Sequence, residues 1–225
     1  MGGDNTRNQI LDAAGPVFAE KGFDATVREI CTTANVNLAA VNYHFGDKQQ
    51  LYVETVRRAY QLRSTEVPMP SWPTAANPRE KLTGYISTLI TRLVGLDKAP
   101  WPTRLLTREV LQPTTACKDL VEEYFRPQFD SLLEILDEVV PGSTPLHQRQ
   151  QLAFSIVGQC LFYRFAGGVV TMLVTPADVE ERYDVEQLAG HIASFSMAAL
   201  GLRPLWQTQL DPPMSADSPS QQGPP

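Results

Sequence analysis

Residues 26–51 read TVREICTTANVNLAAVNYHFGDKQQL, and the fold turns on how this stretch is cut into helices. Thr26 and Glu29 stand three apart, the spacing of a capping box that starts a helix by satisfying two of its orphan N–H groups. Ile30 and Ala34 then lie one turn apart on a single face, pointing inward. Asn35 follows, one of the few residues other than glycine that tolerates the left-handed backbone a helix exit needs. Asn37 can cap a second short helix. Two short helices joined by so tight a turn form a helix-turn-helix, whose second helix is shaped to enter the major groove of DNA.

Outward from this stretch the chain stays helical. Residues 6–21 place Ile10, Ala13, Ala14, Val17 and Phe18 at helical spacing, and Lys21-Gly22 supplies a basic last residue followed by an exit glycine. Pro16 inside that pattern removes one backbone hydrogen bond and predicts a bend or a loss of stability. A longer helix is predicted from Asp47 to about Arg63, with Leu51, Val53, Val56 and Tyr60 apolar, ending at the proline-rich connector VPMPSWPTAANP. Further helical segments are predicted at about 78–97, 103–111, 116–140, 146–173 and 184–201, and no strand alternation of useful length interrupts them. The predicted fold is all-α with about nine helices: a three-helix helix-turn-helix domain over residues 1–60 and a larger helical domain over 61–210. The tail 211–225, DPPMSADSPSQQGPP, has the composition of a disordered segment.

The net charge of −6 over 225 residues looks wrong for a DNA-binding chain until it is divided. Residues 1–63 hold seven basic and seven acidic side chains, so the whole deficit lies beyond them. A neutral reading head on an acidic body binds DNA only if its few cations are well placed. Cys31, Cys117 and Cys160 are odd in number and lack the spacing of a zinc site, so neither disulfide nor metal is expected. His44, His147 and His191 have no obvious carboxylate or cysteine partner in sequence, and no phosphate-binding glycine loop appears, so the chain is expected to be no enzyme and to need no cofactor. No stretch reaches the length of a membrane span and the start MGGDNTRNQI lacks an apolar leader, which predicts a cytoplasmic protein.

In combination, Ile10-Leu11-Asp12-Ala13-Ala14, Phe18-Ala19-Glu20-Lys21-Gly22-Phe23, Thr26, Ile30, Ala34, Val36, Tyr43-His44-Phe45, Lys48 and Leu51 resemble the TetR family of bacterial transcription regulators over roughly residues 6–57. The stretches REVLQPTTACKDLVEEYFRPQFD and VGQCLFYRFAGG resemble the CerR-type C-terminal domain of a subset of that family. The resemblance implies DNA contacts from Thr26 and Arg28 at the start of the first short helix. It implies more from Asn37, Leu38, Ala39, Ala40, Asn42, Tyr43 and His44 on the second, and a phosphate contact from Lys48. Leu38, Ala39 and Ala40 offer thymine methyls apolar contact only, so direct base discrimination rests on Arg28, Asn37 and Asn42. Asn35 and Asn37 stand where the family commonly has glycine and serine, and Cys31 where alanine is common.

The expected function is a homodimeric repressor that binds double-stranded operator DNA and is released by a small-molecule effector. A helical interaction module, or an enzyme without a DNA-binding role, is the alternative. Leu188, Ile192, Phe195 and Ala199 repeat at spacings of four, three and four, and with Ile156 and Cys160 on the preceding helix they predict a four-helix dimer interface. For the effector pocket, Tyr85, Trp101, Arg104 and Arg108, with Phe129, Gln159, Phe162 and Tyr163, mix aromatic and polar groups in the central helices as ligand sites between helices do.

Overall fold

The computed structural model describes residues 2–73, 75–95 and 100–202, and every described segment of regular structure is helical. The helix α1 (Gly2–Lys21) runs through Pro16, whose ring lies on the solvent face, and a 3₁₀ turn (Gly22–Asp24) leads to the reading pair α2 (Val27–Ala34) and α3 (Leu38–Phe45). Then come α4 (Lys48–Glu66), α5 (Pro78–Val94), α6 (Pro100–Leu111), α7 (Thr115–Leu120), a π-turn (Val121–Phe125) and α8 (Arg126–Asp137). The last four are α9 (Leu146–Phe165), α10 (Gly167–Leu173), α11 (Pro176–Arg182) and α12 (Val185–Ala199).

The helices outnumber the nine expected because two continuous apolar patterns hide breaks and one short helix falls between predicted segments. The stretch read as 116–140 is split by the π-turn. The stretch read as 146–173 bends by 74° between α9 and α10, at Ala166 before Gly167. The short α11 begins at Thr175, whose hydroxyl accepts from the Asp178 N–H, with Pro176 at the first helical position. The tail from Asp211 lies outside the described residues.

Two apolar clusters organise the chain. The first gathers Ile10, Ala14 and Phe18 from α1, Ile30 and Ala34 from α2, Val41 and Phe45 from α3, and Leu51, Tyr52 and Val56 from α4. It also takes in Leu105 of α6 and Leu120 of α7, so the reading head shares its core with the two helices that follow α5. The second cluster joins α5, α8, α9 and α12 around Leu82, Ile86, Ile90, Leu132, Leu136, Ile156 and Ile192.

The close approach of α6 to α1 depends on Gly15, where a Cβ would stand 2.6 Å from the Trp101 ring. Gly22 leaves α1 at φ +61°, beside the Arg108 guanidinium. Gly22→Ala is therefore expected to destabilise the protein by ~1–2 kcal/mol, from a left-handed backbone that alanine resists. A thermal midpoint equal to that of the parent would sink this expectation.

Candidate nucleic-acid interface

The capping box forms as predicted. The Thr26 N–H donates to Glu29 Oε2 at 2.8 Å and the Glu29 N–H donates to Thr26 Oγ1 at 3.3 Å. Lys21 Nζ donates to the other carboxylate oxygen, Oε1. That ammonium first, and then the Thr26 donors, hold the Glu29 carboxyl at about 2, well below the usual carboxylate range. Glu29 thus neutralises Lys21 while stiffening the start of α2. Asn35 takes φ 52° and ψ 47°, the left-handed exit, and its N–H returns to α2 through the Cys31 and Thr32 carbonyls.

Asn37 caps α3 by accepting the Ala40 N–H on its side-chain oxygen at 2.8 Å. Its amide NH₂ remains to face outward. Along α3, Leu38, Ala39, Asn42 and Tyr43 are exposed, Tyr43 at 85%, while Ala40 and His44 are half-buried. Val41 and Phe45 point into the head core. The Tyr43 ring stands edge-on to His44 at 5.1 Å.

The electrostatics narrow the field further. Of the seven cations in residues 1–63, Lys21 is held by Glu29, Arg7 by Glu54 at 2.7 Å, and Arg57 by Glu54 and Glu123 at 2.6 and 3.0 Å. Arg58 pairs with Asp12 and Arg63 with Glu66. Among the described residues no carboxylate holds Arg28 or Lys48. Arg28 is exposed in the first turn of α2. Lys48 Nζ donates to the Phe23 carbonyl and sits 4.4 Å from the centre of the Phe23 ring. Phe23 lies three residues before Thr26, so the Lys48 ammonium is brought to the approach of the α2 N-terminus. An N-terminal helix end, two unneutralised cations and an exposed helix face together make a surface suited to a phosphate backbone.

A family model for bacterial regulatory proteins of the TetR family matches residues 10–55. A second, for the C-terminal domain of the HTH-type transcriptional dual regulator CecR, matches residues 78–200. The chain belongs to the TetR family.

CecR of Shigella flexneri is 27% identical over 144 residues, 60% of this chain and 64% of that protein, so the match spans just under two thirds of this relative. The BetI regulator of Agrobacterium fabrum is 26% identical over 184 residues, covering 80% and 87% of the two chains. Among solved structures, a TetR-like regulator from Rhodococcus sp. RHA1 aligns at TM-score 0.62 and 22% identity, over 87% of this chain and 96% of that one. AibR in complex with isovaleryl coenzyme A and operator DNA aligns at TM-score 0.58 and 18% identity, over 84% and 97%.

In this TetR-family chain the body departs from two sequence expectations. Four of the six residues expected at a dimer interface, Ile156, Cys160, Leu188 and Ile192, are buried in the subunit's own second cluster. A stripe at helical spacing says that a helix buries a face but not against what, and here that face meets α5 and its neighbours. Phe195 and Ala199 do point outward. On α9, Phe154 and Phe162 lie outside the buried stripe as well, and Phe154, Phe162 and Phe195 are 63%, 52% and 55% exposed.

The eight residues expected to line one effector pocket fall in separate places. Trp101 packs against the head cluster beside Gly15, Arg108 stands beside Gly22, and Arg104 is exposed. Phe162 is exposed, and the Gln159 amide donates back to the Ser155 carbonyl. Tyr85, Phe129 and Tyr163 do join the second cluster. Beside Tyr85 a further set of polar and aromatic side chains gathers. The Tyr85 hydroxyl donates to the Gln128 carbonyl at 3.2 Å, Arg92 donates to the Gln128 side-chain oxygen at 3.0 Å, and the Gln128 amide donates to the Tyr60 hydroxyl. Tyr60 in turn stacks on Tyr124 of the π-turn at 3.9 Å. A sequence signal existed in Arg92 and Gln128, polar residues within otherwise apolar helix patterns.

Cys117 and Cys160 are poor sensors. Burial pushes the Cys160 thiol up to about 12 and raises Cys117 as well, which keeps both protonated and unreactive near neutral pH.

Proposed function

We propose that this TetR-family regulator is a homodimeric repressor that binds operator DNA through Thr26, Arg28, Asn37, Leu38, Ala39, Asn42, Tyr43 and Lys48. Ala40 and His44 give it secondary support. The observation that carries this reading is the pairing of an uncovered α3 face with the only two head cations, among the described residues, that no carboxylate neutralises. One head meets one half-site, so two are needed about one DNA turn, roughly 34 Å, apart. The outward phenylalanines of α9 and α12 are the surface for that pairing.

A small-molecule effector that acts on DNA binding fits the same architecture. AibR, by its description, was crystallised with a coenzyme A thioester and operator DNA together. In this chain Tyr60, Tyr85, Arg92, Tyr124 and Gln128 bring together, between helices, the aromatic rings and polar groups from which effector sites are built. It also abuts a π-turn, a local distortion frequent at functional sites. A ligand there would favour a body conformation in which the heads are wrongly spaced. Among the described residues no single helix is long and apolar enough to cross a membrane, and we place the regulator in the cytoplasm, without enzymatic activity.

A gel-shift with DNA from upstream of its own gene tests the reading. Retardation is expected, with Lys48→Ala weakening binding evenly across sequences and making the salt dependence shallower by about one unit of slope. Failure to retain any genomic fragment at low salt would end the proposal.

A further inference from the structure

We infer that Phe23 is a positioning residue for DNA binding: its ring face and backbone carbonyl hold the Lys48 ammonium at the start of α2, aimed at a backbone phosphate. This inference rests on the DNA reading above and adds a residue that lies outside the reading helix.

Phe23 belongs to the 3₁₀ turn between α1 and α2, and its side chain is a little under half exposed. One face of that ring carries Lys48 Nζ at 4.4 Å from its centre, while the carbonyl of the same residue accepts a hydrogen bond from that nitrogen. Two contacts from one residue fix both the direction and the reach of a side chain that otherwise samples many rotamers. An ammonium has three donors. One is used on the Phe23 carbonyl, which leaves two for a phosphate without the loss of entropy that an unrestrained lysine incurs on binding.

The ring is itself held from behind. Tyr52 meets it edge-on at 5.5 Å and meets the buried Phe18 edge-on at 4.8 Å. The Tyr52 hydroxyl donates to Glu109 Oε1 at 2.6 Å, and Glu109 belongs to α6. Lys48 is therefore tied through Phe23 and Tyr52 to α6, which packs on both α1 and α4.

The test is a double-mutant cycle on the full-length protein, with the duplex retained in the gel-shift. Phe23→Leu keeps an apolar side chain and the backbone carbonyl but removes the ring face, and is expected to weaken DNA binding about two- to fivefold. That loss should vanish when Lys48→Met is already present, and Phe23→Tyr, which keeps the ring, should bind like the parent. Additive effects of F23L and K48M, or no effect of F23L, would overturn the inference while leaving the DNA reading standing. Proton NMR of the free protein gives a second readout that needs no DNA. Ring current should shift the Lys48 ε-methylene protons upfield in the parent and in F23Y but not in F23L. Unshifted protons in the parent would also overturn it. Loss of all DNA retention by the parent would instead strike the reading beneath.

Discussion

Phe162→Glu combined with Phe195→Glu is expected to leave the protein monomeric at micromolar concentration and to weaken operator binding by on the order of 10²- to 10⁴-fold. The two helices concerned have opposite faces of different fate. Ile156 and Cys160 on α9, and Leu188 and Ile192 on α12, are consumed by the subunit's own core. Phe154, Phe162 and Phe195 remain outside, with Val169, Met172 and Leu173 of α10 exposed as well. Large apolar side chains exposed on α9, α10 and α12 suit a partner surface, and a second copy is the partner that the proposed two-headed reading requires. Charges on this face repel across a two-fold axis and lose burial twice over, because an isologous interface repeats each substitution. The subunit interior is untouched, so helicity should persist. The large loss arises because the second head then binds as a separate molecule instead of at the effective concentration set by the first. Light scattering and gel-shift titration check both halves. A parent protein already monomeric, or a double variant that stays dimeric with unchanged affinity, would sink the assignment of this face.

How far the structure could be read from residue order depends on the range of the interaction involved. The capping box at Thr26 and Glu29 and the left-handed exit at Asn35 act over three residues, and both stand where the local pattern placed them. Arg28 and Lys48 are left without a carboxylate among the described residues because the acidic residues that pair with Arg7, Arg57 and Arg58 lie within or beside the head. The placement of Lys48 over Phe23 was not readable, since it spans 25 residues and depends on how α4 crosses the turn after α1. Nor was the membership of α6 in the head core, where Leu105 is fully buried among residues far behind it in sequence. The dimer stripe illustrates a different limit. Periodicity identifies buried positions, but a helix apolar on two faces offers two stripes, and only the tertiary arrangement decides which is internal.

Glu109→Ala should lower stability by ~3–5 kcal/mol, the largest effect expected from any one substitution in the shared core of head and body. Glu109 is fully buried and its carboxylate accepts from three donors: the Tyr52 hydroxyl at 2.6 Å, the Thr114 hydroxyl at 3.0 Å and the Thr114 N–H at 3.3 Å. Removing it strands the buried Tyr52 hydroxyl, takes the acceptor from the Thr114 N–H and opens a cavity between α4 and α6. Glu109→Gln keeps an acceptor and should lose much less. The pH dependence supplies a separate check. Burial, and then the Glu109 hydrogen bond and charge, raise the Tyr52 phenol above its ordinary value near 10. The folded state therefore keeps a proton that the unfolded chain releases above about pH 10, and the stability from this group, complete below that pH, declines as pH rises through the folded value. Tyr85, raised chiefly by burial, adds a loss of the same sign, and Cys160 starts its own decline from about pH 8.5. Denaturant melts at pH 7 and pH 10.5 should thus show a smaller alkaline loss for Tyr52→Phe than for the parent. An identical loss would mean that the phenol is not held protonated. A Glu109→Ala midpoint matching the parent's would mean that this carboxylate does not join α4 to α6.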